Sequence, residues 1–144
     1  KYSARTNMEL ELSDDAANII LGGKWRMPTE NDLDELISAT YWQYDNNDKG
    51  LYVFAPNPAT DAGKINNGAG TYNKSDALLF FPLPLWANYG SFSNNGKSAY
   101  WSNTLNEMYT ISSYAIEMSA GYLPYLADDY VRAAGCFIRP VWDE

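Results

Sequence analysis

Apolar and polar positions change their period twice along this chain. Residues 8–12, Met8-Glu9-Leu10-Glu11-Leu12, alternate at period two and predict a short strand or extended lead-in. Ser13-Asp14-Asp15-Ala16 then predicts a helix start, with Ser13 as cap and two acids where the helix dipole favours them. Ala16, Ala17, Ile19, Ile20 and Leu21 carry that first helix, short and apolar enough to be buried on most sides. Gly22 and Gly23 suit the left-handed residues that end a helix. Pro28 cannot extend it, and Thr29 is a good cap for a second helix. In that helix Leu33, Leu36 and Ile37 form one apolar stripe, and it should stop near Thr40. Trp25, between the two punctuation marks, is placed to plug the core where the helices meet.

After Thr40 the pattern shortens to strands. Tyr41 and Trp42 begin one, residues 45–50 form a turn, and residues 51–54 form its partner. Residues 56–76 are rich in Pro, Gly, Asn and Asp and predict a long loop. Residues 77–86 are the most apolar run; the first half predicts a central buried strand, ended by Pro82 and Pro84. Residues 87–97 predict another loop, and Ala99-Tyr100-Trp101-Ser102 a short strand. Residues 111–118 alternate imperfectly, turn at Ala120-Gly121 and return through residues 122–126. Asp128-Asp129 reads as an acidic turn, and residues 135–141 as the closing strand. Helices come first and strands afterwards, so the prediction is an α+β fold. It is a single domain over residues 1–144, with two helices packed on short twisted antiparallel sheets and long, functional loops. Trp25, Phe81, Trp101 and Phe137 are the expected core aromatics.

Composition changes this picture in one direction. Twelve Tyr, five Trp and five Phe stand beside only 19% charged residues. Tyr excess suits binding surfaces, because the ring combines area, rigidity and a hydroxyl, and equally suits β-rich cores. A net charge of −8 with scattered Lys and Arg argues against nucleic acid and anionic membrane surfaces as partners. No apolar run reaches the length of a membrane span. The chain starts at Lys1, which reads as a processed or engineered fragment whose export signal or anchor would lie upstream.

Candidate chemistry is thin. Histidine is absent, which removes the usual general base and the commonest transition-metal ligand. Cys136 is the only cysteine, and its Phe-Ile neighbours predict a buried, inert thiol. The pairs Asp14-Asp15 and Asp128-Asp129, with Glu107, are explained by capping and turns, so no catalytic residue is assigned. The turn at 45–50 departs from a calcium loop, since Lys49 stands where an oxygen ligand belongs. Oxygen atoms of Asn103, Asn106, Glu107, Asp128 and Asp129 could in principle hold calcium, but solvated polar loops explain them better, and no metal or cofactor is expected.

The stretches 11–17 (Glu11-Leu12-Ser13-Asp14-Asp15-Ala16-Ala17), 21–29 (Leu21-Gly22-Gly23-Lys24-Trp25-Arg26-Met27-Pro28-Thr29) and 33–36 (Leu33-Asp34-Glu35-Leu36) carry a family likeness. With Phe80-Phe81-Pro82-Leu83-Pro84, Tyr100-Trp101-Ser102-Asn103-Thr104 and Phe137-Ile138-Arg139-Pro140-Val141 following in order, the chain resembles the major paralogous domain of Bacteroides- and Fibrobacter-type surface proteins. That resemblance implies a C-type-lectin-like fold in an exported, often lipid-anchored binding module at the cell surface or outer membrane. The calcium-lectin signatures are missing, so calcium-dependent sugar binding does not carry over; nor does the cysteine chemistry of the related formylglycine-generating enzyme. The expected function is a non-catalytic, adhesin- or receptor-type module binding a glycan or protein through Tyr- and Asn-rich loops. Its ligand face should draw on Tyr89, Asn94, Asn103, Asn106, Tyr109, Tyr122, Tyr125, Asp128 and Tyr130. The alternatives are a structural subunit of a cell-surface or fimbrial assembly, and a retroelement-diversified variable protein with a protein ligand. Nothing in the sequence sets the oligomeric state.

Overall fold

Asp15, not Ser13, caps the first helix. In the computed structural model, which describes residues 9–56, 61–66, 72–83, 86–88, 91–93, 96–109, 111–132 and 134–143, helix α1 spans Ala16–Leu21. Asp15 is wholly buried; its Oδ1 accepts from the backbone N–H of Ala17 at 2.8 Å and Asn18 at 3.1 Å. Its Oδ2 accepts from Met27 N–H at 2.8 Å, so the capping carboxylate also fixes the chain beyond the turn. Ser13 is exposed in the turn before the cap. Gly22 and Gly23 follow at φ 68° and 61°, the left-handed values that favour glycine. The Asn18 side chain donates to the carbonyls of Gly23 and Trp25, completing the turn.

In chain order there follow β1 (Trp25–Arg26), α2 (Glu30–Ala39), β2 (Tyr41–Asp45), β3 (Gly50–Phe54), β4 (Lys64–Asn66) and β5 (Leu79–Pro82). Then come β6 (Trp86–Asn88), β7 (Ser91–Ser93), β8 (Lys97–Leu105), β9 (Ser112–Ser119), β10 (Tyr125–Val131) and β11 (Val141–Trp142). The architecture is α+β, with two helices and several small sheets among the described residues. One sheet runs in the order β4-β2-β3-β5 and a second in the order β10-β9-β8; two short ladders pair β1 with β11 and β6 with β7. Trp42, Leu51, Val53 and Phe81 of the first sheet, with Leu83, meet Tyr100, Ile116 and Met118 of the second in one core. Helix α2 closes it with Leu33, while Leu36 and Ile37 pack alongside. Thr29 caps α2 in a reciprocal capping box with Asp32, as its sequence suggests.

Several expectations are corrected. Helix α1 is not buried on most sides: Ile19, Ile20 and Leu21 are exposed and only Ala17 is buried, because six residues make fewer than two turns and rest mainly on β1. Trp25 does not plug the core. It is half-buried, edge-on to the exposed Trp142 at 5.3 Å, and clasps the β1–β11 ladder. Among the tryptophans whose side chains are described, Trp42 is the one in the core, with no exposed surface. Phe81 is a core residue, but Phe137 is 37% exposed and Trp101 is only half-buried, on the outer side of the second sheet.

The alternation at 8–12 yields only an isolated bridge from Glu9 to Thr104, since Leu12 already turns toward the Asp15 cap; Met8 lies outside the described residues. Residues 56–76 are not one loop, for β4 adds parallel to β2 and a 3-10 turn forms over Lys74–Asp76. Strand β5 is an edge strand rather than a central one, where Pro82 costs no ladder bond on its free side. The loop at 87–97 contains the β6–β7 hairpin. Asp128-Asp129 lies inside β10, and the stretch 135–141 makes a bridge at Phe137 before β11.

Asp15→Ala removes a cap and leaves the Met27 N–H buried and unpaired. Together these should lower stability by about 2–4 kcal/mol, read as a shift in the urea midpoint at constant slope. An unchanged midpoint would show that the carboxylate is not the tie described.

Candidate functional site

Strand alternation gives the second sheet two unlike sides. Tyr100 of β8, Ile116 and Met118 of β9 and Leu126 of β10 belong to the core. Their neighbours Ala99, Trp101, Ala115, Glu117 and Tyr125 therefore face the other way. Between Ala127 and Tyr130 the register shifts by one extra residue in β10, a bulge that returns Tyr130 to this outward side, opposite Ser113.

Glu117 is the centre of the outward side. Its Oε1 accepts from Lys97 Nζ at 3.0 Å and its Oε2 from the Tyr130 hydroxyl at 2.6 Å. Tyr125 stands directly across the ladder from Glu117, and its hydroxyl feels the same carboxylate. Burial pushes the carboxyl up, but the hydrogen bonds from Tyr130, Lys97 and Tyr125 outweigh it and hold Glu117 below the usual range. Burial, then the bond to Glu117, raises both phenols, so each stays a protonated donor. The Trp101 ring stands edge-on to Tyr130 at 6.1 Å. Tyr125 is 51% exposed, and Tyr122, in the turn that leads into β10, is 71% exposed. Cys136 is half-buried, and burial pushes its thiol up to about 12, which leaves it unreactive at neutral pH. A carboxylate held ionised by Lys97 and Tyr130 neither gives nor takes a proton near pH 7. What it does is fix the Tyr130 ring in place.

The predicted ligand residues divide into groups. Tyr125 and Tyr130 come together beside Glu117, whereas Tyr122 stands in the β9–β10 turn, its N–H donating to Ser119 O. Asn103 and Asn106 do not belong to a ligand face, being 4% exposed each. Asn103 is held by its backbone, donating to Pro28 O and accepting from Leu10 N–H, both within 2.9 Å. Asn106 spends its carboxamide internally: Oδ1 accepts from Met108 N–H at 2.8 Å and Tyr109 N–H at 3.0 Å, and Nδ2 donates to Asp128 O. Asp128 is exposed at the bulge, and Tyr109 is exposed in the β8–β9 connection, at the other end of β9 from Tyr122. Tyr89 and Asn94 lie outside the described residues.

Glu117, Lys97 and Trp101 are the members that sequence reasoning missed. The available signal was a single acid within the strand Tyr114-Ala115-Ile116-Glu117-Met118. Among the described residues no group of three or more Asp, Glu, Cys or His side chains is placed to hold a metal. In the 45–50 turn, Lys74 Nζ lies 2.6 Å from both Asp45 Oδ2 and Asp48 Oδ2, filling the place of a cation. No helix of the described residues is long and apolar enough to cross a membrane. No protein-family model matches the chain, and no curated protein or solved structure does.

The lowered Glu117 carboxyl sets a sign for pH. Its contribution to stability is complete above the ordinary glutamate value of 4.5 and fades as pH falls through the lower folded-state value. The stability gap between the native chain and Glu117→Gln should therefore be constant from pH 6 to 7 and shrink below about pH 4.5. Urea titrations from pH 3 to 7 measure it, and a gap that widens toward acid contradicts the assignment.

Proposed function

We propose that this chain is a C-type-lectin-like, non-catalytic binding module of an exported bacterial surface protein, and that the outward side of the β8–β9–β10 sheet takes a glycan or protein ligand. The observation that carries the reading is the exposure of Tyr122 in the β9–β10 turn and of Tyr125 at the start of β10, directly across the ladder from Glu117. A ring carried on a paired strand has less freedom to lose than one on a free loop, so contact with a sugar face or an apolar side chain yields more net affinity. Lys97, exposed and bound to Glu117, adds a charged group to the same side. The α+β layout, with paired helices at the start and short sheets after them, is compatible with a C-type-lectin-like fold. Lipid anchoring and surface localisation follow from the family resemblance alone.

A second reading, a subunit of a surface assembly, draws on the exposed Leu12, Ile19, Ile20, Leu21 and Trp142. Such apolar exposure suits contact with neighbouring subunits.

Glycan arrays and protein pull-downs with the purified chain distinguish the two. Binding that falls at least tenfold in Tyr122→Ala and Tyr125→Ala, about 1.4 kcal/mol or more each, supports the module. Concentration-dependent polymerisation without any array or pull-down signal favours the assembly. Ligand binding undiminished by both substitutions sinks the proposed face.

A further inference from the structure

The connection between β8 and β9 presents an apolar finger at the end of the sheet opposite Tyr122. Met108, Tyr109 and Ile111 are 77%, 57% and 65% exposed, three large apolar side chains within four residues. The eight residues of β9 separate this finger from the Tyr122 turn by about 23 Å, at about 3.3 Å per residue. The finger's backbone is tied down at Met108, Tyr109 and Ile111. Asn106 Oδ1 receives the N–H groups of Met108 and Tyr109, Ser112 N–H donates to Tyr109 O at 2.8 Å, and Arg132 N–H donates to Ile111 O at 2.9 Å. Burying Asn106 here, rather than another apolar residue, holds the three side chains outward at little further entropic cost on contact.

Carboxylates outnumber cations around the finger, where Arg132, whose N–H donates to Ile111 O, is a basic neighbour. Glu30 at the start of α2, Asp128 at the β10 bulge and Glu107 in the connection all act on the Tyr114 hydroxyl, so three chain segments bring carboxylates to this end. Glu107 and Asp128 are exposed, as is Asp129 next to them. An apolar tip with an acidic collar is repelled by anionic membranes and by nucleic acid. It is complementary to a polypeptide that combines apolar and basic side chains.

We infer that the finger of Met108, Tyr109 and Ile111 is a second docking site, whose partner is a basic amphipathic polypeptide segment. It acts independently of the outward sheet side, so the module can hold one ligand there and be tethered through the finger.

The test uses the whole purified chain and two synthetic helical peptides, one of Leu and Lys and one of Leu and Glu at the same spacing, followed by fluorescence anisotropy. The Leu/Lys peptide should bind and the Leu/Glu peptide should not. Affinity should fall at least tenfold in the double variant Met108→Ser, Ile111→Ser and again in Glu107→Lys, Asp128→Lys. The equal charge change Asp34→Lys, Glu35→Lys, on the exposed side of α2, should leave it within twofold. Tyr122→Ala should also leave it unchanged, which separates this site from the sheet face. Circular dichroism of each variant identifies loss of fold, and the charge variant keeps the test alive if the Ser variant unfolds. Absence of Leu/Lys binding, equal binding of both peptides, or equal loss in the α2 variant overturns the inference. So does finger-dependent binding of phosphatidylcholine vesicles in place of the peptide, which would make the partner a membrane.

Discussion

Strand β8 must satisfy its backbone on both edges, and the rest of the molecule is arranged to do so. One edge pairs with β9. On the other edge Phe137 N–H donates to Ala99 O and Trp101 N–H donates to Phe137 O. Past Trp101 the register shifts, and Asn103 takes Leu10 and Pro28 as partners in place of a strand. The hydroxyls of Ser102 and Ser113 fill the irregularity, binding the Tyr114 and Thr104 carbonyls at 2.9 Å and 2.7 Å. Buried N–H and C=O groups are obligatory hydrogen-bonders. The beginning, the helical part and the end of the chain therefore converge on this one strand.

That convergence accounts for what the sequence could and could not convey. Local rules sufficed for the second helix, because Thr29, Asp32 and the Leu33, Leu36, Ile37 stripe interact within a few residues. They sufficed equally for the Gly22-Gly23 turn and the β2–β3 hairpin. They failed for tryptophan. Trp25 and Trp42 both follow polar punctuation, and only the packing of two distant sheets decides that Trp42 is interior while Trp25 meets Trp142. They failed too for Asp15, since the tie to Met27 spans twelve residues and cannot be told from a simple cap.

The site was half legible for the same reason. Tyr composition and its late position pointed to Tyr122, Tyr125 and Tyr130. The carboxylate joining two of them could not be named without strand register, because Lys97 and Tyr130 stand 20 and 13 residues away from Glu117. Asn106 misled because a loop asparagine that binds a ligand and one that closes its own turn have the same local sequence, and Asn103 because its place inside β8, paired to Leu10 and Pro28, is set by distant segments. Exposure separates them, and exposure is a tertiary property.

The attachments of β8 also order events in time. Glu117 and its tyrosines lie in one hairpin, whereas Glu30 reaches Thr104 across 74 residues and Arg26 reaches Asp143 across 117. Closing short loops is fast and closing long ones is slow. The aromatic hairpin can thus take shape while a chain emerging from synthesis still lacks the Phe137 segment. Strand β8 pairs its Ala99–Trp101 edge only when the Phe137 segment has arrived, so that edge is completed after the hairpin on the other side.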